Sequence, residues 1–127
     1  TERVAAVTAR IAGRELICHF QNYRGVAMAI LLAALQAGVT VFDTAVGGIG
    51  GCPNVPRAAG NLASEDVVFM LEAMGVETGI DLALMIDAAR LLEKTVGVEL
   101  PGQTMKSGAI PNRSCGAGSG GATVHEV

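Results

Sequence analysis

His19 and Gln21 are the first residues whose types and spacing could do chemistry, because both come at the end of a short apolar stretch, "ELICHF", and stand two residues apart. An imidazole nitrogen can bind a divalent metal, and an amide oxygen suits a hard cation such as Mg²⁺ or Mn²⁺. Asn22, Tyr23 and Arg24 follow immediately. A lone histidine in a strand is more often structural, and it is these polar neighbours that favour a role in a site.

A second polar segment, residues 47–61, reads "GGIGGCPNVPRAAGN" and must be a loop, because glycine and proline disfavour the interior of a helix or strand. Cys52 could act there as a general acid or base near a metal, or could be a small buried apolar residue. Asn61 could bind a metal through its side-chain oxygen or cap the next helix. The segment matches no dinucleotide fingerprint, P-loop or nucleophile elbow, whereas phosphate binding by its backbone amides stays open.

The elements that would position these residues alternate between helix and strand. Helices are predicted around residues 4–11, 25–38, 64–75 and 81–97, strands over residues 15–20 and 39–46, and no regular element after Pro101. Ser64 is the candidate N-cap of the third helix, and Glu65 and Asp66 in its first turn complement the helix dipole. This alternation predicts βαβ units and a parallel sheet.

Two parallel strands do not make a complete sheet, because parallel sheets are covered on both faces. We therefore expect an α/β fold that is the C-terminal portion of a (β/α)8 barrel, with the last two strands, their helices and a C-terminal helix, incomplete as it stands. Both polar segments follow strands, where such barrels carry their chemistry. Residues 1–108 should form this part, and residues 109–127 a flexible tail rich in glycine and serine. A start at Thr1, inside a helix, also suggests a fragment.

Composition excludes several classes of partner. Nine basic and twelve acidic residues, scattered singly with a net charge of −3, and only four aromatic side chains argue against nucleic acid. The longest apolar run, residues 26–35, is too short to span a bilayer, so no membrane partner is expected. Three widely spaced cysteines argue against a disulfide framework and for a reducing, cytoplasmic location.

The loop and the helix after it resemble the signature region of the 3-hydroxy-3-methylglutaryl-CoA lyases, which are metal-dependent barrels with a pyruvate carboxyltransferase-like domain. The family pattern A/G-G-L-G-G-C-P followed by G-N-x-A-T/S-E-D is met by "GGIGGCP" and "GNLASED". The preceding "HFQNYRGVAMAILLAALQAGVTVFD" resembles the family's histidine-bearing seventh strand, its helix and its eighth strand. The resemblance covers roughly residues 1–108.

The resemblance implies an enzyme that cleaves 3-hydroxy-3-methylglutaryl-CoA to acetyl-CoA and acetoacetate with a bound Mg²⁺ or Mn²⁺, as in leucine degradation and ketone body formation. It implies that His19 and Asn61 are metal ligands, that Cys52 and His19 are catalytic, and that the loop is a lid. The lid residues are Gly47, Gly48, Gly50, Gly51 and Pro53. The implied partners are an acyl-CoA substrate and, in a homodimer, a second copy of the chain.

The sequence departs from the family at Gln21, where the family has a second histidine, at Asn22, where aspartate is usual, and at Tyr23, which replaces a threonine. Gln21 either coordinates the metal through its oxygen or weakens the site. Two alternatives therefore stay open: a related acyl-CoA lyase or aldolase with an altered substrate, and a non-catalytic barrel relative. The family's early strands supply an arginine, an aspartate ligand and a glutamate. We therefore expect that the N-terminal half of the barrel is required and that the isolated chain is inactive and poorly folded.

Overall fold

The computed structural model describes residues 2–11, 13–51 and 60–109. Its elements, in chain order, are α1 (Glu2–Arg10), β1 (Ile17–His19), α2 (Ala27–Gln36), β2 (Val41–Asp43), a 3-10 turn (Val46–Gly48), α3 (Ser64–Ala73), α4 (Leu82–Val96) and α5 (Thr104–Ser107). The predicted alternation is confirmed. The 3-10 turn replaces the predicted end of the second strand at Val46 and the start of the predicted loop, and α5 is one turn long, too short to produce a periodic pattern.

The two strands are parallel, and α2 is the crossover between them. Ile17 pairs with Val41, and His19 pairs with Asp43. The predicted βαβ unit and the α/β class are therefore confirmed. Each strand is shorter than predicted because the paired register covers only three residues. Among the residues that the structure describes, no helix is long and apolar enough to cross a membrane.

One apolar cluster lies where α2 and α3 meet the sheet. Ala27 and Leu31 of α2 are fully buried, and the rings of Phe20, directly after β1, and Phe42, within β2, have centroids 6.4 Å apart. The buried members of the cluster are Ala27, Leu31, Leu62 and Val67. This cluster packs α2 and α3 against the two strands whose ends lead into the polar segments.

A second apolar cluster packs α4 against the 3-10 turn at the start of the glycine-rich segment. Its buried members are Ile86, Ala89, Leu100 and Met105. The predicted ends of α4 are confirmed: Asp81 accepts from the amides of Ala83 and Leu84, and Gly97 ends the helix in the left-handed conformation. The glycine-rich segment therefore starts on a packed support.

The prediction that Ser64 caps α3 is wrong. Ala63 occupies the cap position, and Ser64 is the first helical residue. A parallel bridge between Ala45 and Ala63 holds the chain extended up to Ala63, and the Ser64 amide donates to the Ala45 carbonyl. The Ser64 hydroxyl is thereby directed at the Thr44 hydroxyl, 2.8 Å away. It ties the helix to the end of β2 instead of capping its own amides.

Candidate functional site at the strand ends

His19 and Asp43 face each other across the carboxyl ends of β1 and β2. They are register partners, and His19 Nδ1 lies 3.3 Å from Asp43 Oδ2. In a neutral imidazole, a proton on Nδ1 that is donated to this carboxylate leaves the lone pair on Nε2. The pair is half exposed, with 42% and 64% of the two side chains accessible. Asp43 is therefore placed where it could orient the imidazole and leave Nε2 as the ligand or base.

Gln21 and Asn61 come together directly beyond this pair, in an isolated antiparallel bridge. The Asn22 amide donates to the Gly60 carbonyl at 3.0 Å, which fixes the two segments to each other. Residues opposite each other in such a bridge put their side chains side by side on one face. The structure therefore brings together two residues that are 40 positions apart in the chain, both predicted from the sequence as site residues.

The two amide side chains present oxygens that have no protein partner. Asn61 Nδ2 donates to the Ile49 carbonyl at 2.9 Å, which turns Oδ1 away from the loop backbone. Asn61 Oδ1 and Gln21 Oε1 are both buried and accept no hydrogen bond within the described residues. A buried acceptor left unpaired costs about 1–3 kcal/mol. Because Gln21 and Asn61 are bridged, these two acceptors are candidates for binding an electropositive group. The alternative prediction, that Asn61 caps α3, is wrong, because no side chain caps that helix.

These donors fit a hard divalent cation. His19 Nε2, Asn61 Oδ1 and Gln21 Oε1 would supply one imidazole nitrogen and two amide oxygens, a set that suits Mg²⁺ or Mn²⁺. No group of three or more His, Cys, Asp or Glu side chains that could hold a metal occurs in residues 2–11, 13–51 and 60–109. A metal site at these strand ends would therefore need donors beyond His, Cys, Asp and Glu of the described residues, such as the two amide oxygens.

The glycines of the loop allow its backbone to lie against Asn61. The Asn61 amide donates to the Gly48 carbonyl at 3.2 Å. Gly50 has φ +111, and a Cβ added to it would lie 2.7 Å from Asn61 Nδ2. A side chain at Gly50 would thus displace the carboxamide group of Asn61, whose Oδ1 is the candidate metal ligand. Cys52 and Pro53, predicted as proton carrier and lid residue, lie outside the described residues.

Replacing Gly50 by alanine should therefore be much more harmful than replacing its neighbour Gly51. Gly50→Ala should lower the free energy of unfolding by about 1–2 kcal/mol, because it combines a left-handed φ with a close contact. Gly51 has no such φ, and an added Cβ there meets nothing within 4 Å, so Gly51→Ala should stay within about 0.5 kcal/mol. Urea unfolding of both variants, each introduced into a complete barrel that contains this chain, tests this, and equal losses would contradict the packing of Gly50 on Asn61.

Two acidic residues at the start of α3 hold the segments around the loop. Glu65 is fully buried, and its Oε2 accepts from the Gly47 amide at 3.0 Å. Asp66 accepts from the amides of Gln103 and Thr104 and so caps α5. Burial raises the pKa of Glu65 above its ordinary value, although hydrogen bonds from the amides of Glu65 and Gly47 oppose that shift. The sequence predicted only a dipole effect for this pair, because the first-turn position carries no sign of burial.

The Asn22 side chain contacts the start of α2 and does not join the Gln21–Asn61 pair. Its Oδ1 accepts from the Ala27 amide at 3.4 Å, at the start of α2. An amide oxygen and a carboxylate oxygen can both accept a hydrogen bond from a backbone amide, so this contact is compatible with either residue type. The departure at Asn22 therefore leaves the local backbone support intact.

The parallel βαβ unit defines an α/β protein, and in such folds ligands bind at the carboxyl ends of the strands, where these polar side chains lie. The family model described as HMGL-like matches residues 1–92. The chain belongs to the HMGL-like family, and the resemblance noted from the loop is confirmed.

Relatives and solved structures agree with this assignment. The chain is 42% identical over 101 residues to hydroxymethylglutaryl-CoA lyase YngG of Bacillus subtilis, covering 80% of this chain and 34% of that protein. It is 46% identical over 101 residues to (R)-citramalyl-CoA lyase of Chloroflexus aurantiacus, covering 80% and 32%. A solved lyase from Acinetobacter baumannii, in complex with coenzyme A and 3-methylmalate, superposes with a TM-score of 0.78 at 37% identity, covering 98% of this chain and 37% of that one. The chain thus spans about a third of the length of these relatives.

Proposed function

We propose that this chain is part of a metal-dependent carbon–carbon lyase that cleaves 3-hydroxy-3-methylglutaryl-CoA to acetyl-CoA and acetoacetate. The proposal rests on the buried side-chain oxygens of Gln21 and Asn61, which have no partner among the described residues. Gln21 is bridged to Asn61 and lies two residues after His19, whose imidazole contacts Asp43. Similarity to YngG of Bacillus subtilis supports the substrate class.

In this proposal each residue has a defined task. His19 Nε2, Asn61 Oδ1 and Gln21 Oε1 would hold the cation, which when bound polarises the hydroxyl and carbonyl oxygens of the substrate. Asp43 keeps the proton of His19 on Nδ1. The substrate hydroxyl loses its proton to a base, the carbon–carbon bond breaks to give the ketone of acetoacetate, and Cys52 is proposed to return a proton to the acetyl-CoA enolate. Closure of the glycine-rich loop would exclude water during these steps.

We further propose that the remaining, N-terminal part of a (β/α)8 barrel completes the site. Ile17 of β1 is 58% exposed, although residues of parallel strands are normally covered on both faces. An open apolar groove of about 470 Å³ runs along β2 and α3 and is lined in part by Phe42, Val68 and Leu71. Further strands and helices of a barrel would cover both surfaces. A homodimer and a cytoplasmic location belong to the same proposal; Cys18, a free thiol, fits a reducing compartment.

A second candidate substrate is citramalyl-CoA. The chain is 46% identical to the citramalyl-CoA lyase of Chloroflexus aurantiacus, a value as high as its identity to the hydroxymethylglutaryl-CoA lyase of Bacillus subtilis. None of the donor atoms described above distinguishes the two thioesters, because each of them acts on the hydroxyl-bearing end that the metal would bind. The choice between the two substrates is therefore left to a direct comparison of turnover.

The test uses a complete barrel, made by replacing the matched segment of the Bacillus subtilis relative by this chain, alongside the 127-residue chain alone. With Mg²⁺ or Mn²⁺ present, the barrel should release acetoacetate from 3-hydroxy-3-methylglutaryl-CoA, and the chain alone should not. Citramalyl-CoA is assayed in parallel. Absence of turnover together with absence of a metal-dependent thermal shift in the barrel would favour a non-catalytic relative. Turnover by the chain alone would contradict the need for further strands.

A further inference from the structure

We infer that Arg24 binds the free carboxylate of the substrate's acyl group and so orients the acyl end of the thioester at the strand ends. The inference rests on the proposed function, since it concerns the substrate of the same site. It goes beyond that function, because neither the proposed metal ligands nor the proposed proton transfers involve Arg24.

The backbone that carries Arg24 is held in place at the carboxyl end of β1. Arg24 lies in a turn that directly follows the bridged residue Gln21 and leads into α2. Before the turn, the Asn22 amide donates to the Gly60 carbonyl at 3.0 Å. Across the turn, Asn22 Oδ1 accepts from the Ala27 amide at 3.4 Å. The turn is therefore attached both to the opposite strand of the bridge and to the start of α2, and it presents Arg24 from a fixed base.

Arg24 is the source of positive charge at this edge of the sheet. In the described segments that follow the strands, residues 20–26, 44–51 and 60–63, no other lysine or arginine occurs. Arg24 is exposed and forms no ion pair with any residue that the structure describes. A guanidinium group binds a carboxylate through two parallel hydrogen bonds, which fix the orientation of the carboxylate as well as its position. Arg24 is therefore available to bind an anionic group of a ligand at the strand ends.

The substrate offers two kinds of anionic group, and the carboxylate is the one expected near Arg24. Both candidate thioesters carry a free carboxylate beyond the hydroxyl-bearing carbon, one methylene farther away in 3-hydroxy-3-methylglutaryl-CoA than in citramalyl-CoA. The phosphates belong to the coenzyme A moiety, at the opposite end of the molecule. Because the turn with Arg24 directly follows a residue proposed to act at the hydroxyl-bearing end, the carboxylate is the nearer anion. Holding it orients the bond that is to be cleaved.

Replacing Arg24 by glutamine in the complete barrel should raise KM for 3-hydroxy-3-methylglutaryl-CoA by about tenfold or more, because hydrogen bonds between two charged groups are lost. kcat should change much less, because the contact is made in the ground state as well as in the transition state. Arg24→Lys keeps the charge but loses the paired donors, so its KM should lie between those of the parent and Arg24→Gln. Thermal unfolding should be unchanged in both variants, since the side chain is exposed.

The experiment compares steady-state kinetics of these variants with those of Arg14→Gln. Arg14 is also exposed but lies before the amino end of β1, so this control makes the same change of charge away from the site. Two further compounds separate the anionic groups. The first is 3-hydroxy-3-methylbutyryl-CoA, which lacks the carboxylate and is measured as an inhibitor. The second is the pantetheine thioester of 3-hydroxy-3-methylglutarate, which lacks the phosphates and is assayed as a substrate. Arg24→Gln should raise KM for both carboxylated thioesters and leave the inhibition constant of the carboxylate-free analogue unchanged.

The outcomes separate the inference from the function on which it rests. If the parent barrel cleaves its substrate but Arg24→Gln leaves KM unchanged, or Arg14→Gln raises it equally, the inference is wrong and the proposed function stands. An effect of Arg24→Gln that extends to the carboxylate-free analogue, or that is lost with the pantetheine thioester, would place Arg24 at the coenzyme A moiety and would also overturn the carboxylate contact. If the parent barrel neither cleaves nor binds any of these thioesters, the proposed function is wrong, and the inference with it.

Discussion

Replacing His19 by alanine in the complete barrel should lower kcat/KM by at least about two orders of magnitude, the usual effect of losing a group that takes part in proton transfer or holds the metal. Its side chain is 42% exposed and packs little against the apolar clusters, so the free energy of unfolding should change by no more than about 0.5–1 kcal/mol. Steady-state turnover and urea unfolding of the same preparation measure the two effects. A loss of turnover that follows a loss of stability would contradict the proposed role.

Replacing Asp43 in the complete barrel should lower activity less than replacing His19 does. Asp43→Asn keeps the size of the side chain, but its amide can present an NH₂ group to Nδ1 and so favour the other tautomer. Loss of such a partner typically costs about 10–100-fold in metal affinity or activity. Asp87→Asn is the control, because Asp87 is also exposed and makes only a long contact of 3.9 Å with Arg90. Equal activity of the two variants would show that Asp43 does not orient the imidazole.

The sequence was sufficient wherever a local rule decides the structure. Asp81 and Gly97 mark the two ends of α4 because a cap side chain and a left-handed glycine act within one turn of the helix. The apolar stretches around β1 and β2, separated by one helix, predicted a parallel pair because that connection requires a crossover. The residue types of His19, Gln21 and Asn61 and their positions after strands suggested them as site residues, and their roles stay predictions.

The contacts that the sequence did not predict depend on the register of distant segments. Asp43 ends an apolar strand in the same way as His19, but their pairing follows only from the alignment of β1 with β2. The bridge between Gln21 and Asn61 depends on how the glycine-rich loop returns to the sheet. Ser64 has the residue type of a helix cap, but the bridge between Ala45 and Ala63 keeps the chain extended up to Ala63, so the helix begins at Ser64. A single sequence contains no signal for any of these long-range alignments.

In the complete barrel, Glu65 should be the position of this chain with the largest effect on stability, and all Glu65 variants are measured in that barrel. Its carboxyl group joins the start of the loop to the segment before α5: it accepts from the Gly47 amide, and the Gly47 carbonyl accepts from the Gly102 amide at 3.1 Å. Gly102 packs directly on Glu65 Oε1. Glu65→Ala would leave the Gly47 amide buried without an acceptor and open a cavity, so the free energy of unfolding should fall by about 2–4 kcal/mol. Glu72→Ala, on the same helix but exposed, should change it by less than about 0.5 kcal/mol.

The pH dependence of the same residue separates burial of a carboxyl group from simple packing. Burial raises the pKa of Glu65 in the folded state above its ordinary value of 4.5, so the folded protein holds this proton more tightly than the unfolded chain. The resulting stabilisation is fully present below pH 4.5 and is lost as the pH rises through the folded-state pKa. Glu65→Gln keeps an acceptor for Gly47 and cannot titrate, so the parent should lose stability relative to this variant as the pH is raised across that window. Urea unfolding at a series of pH values measures the difference. A difference that is constant with pH, or that changes in the parent's favour, would show that Glu65 is not a buried carboxyl group of raised pKa.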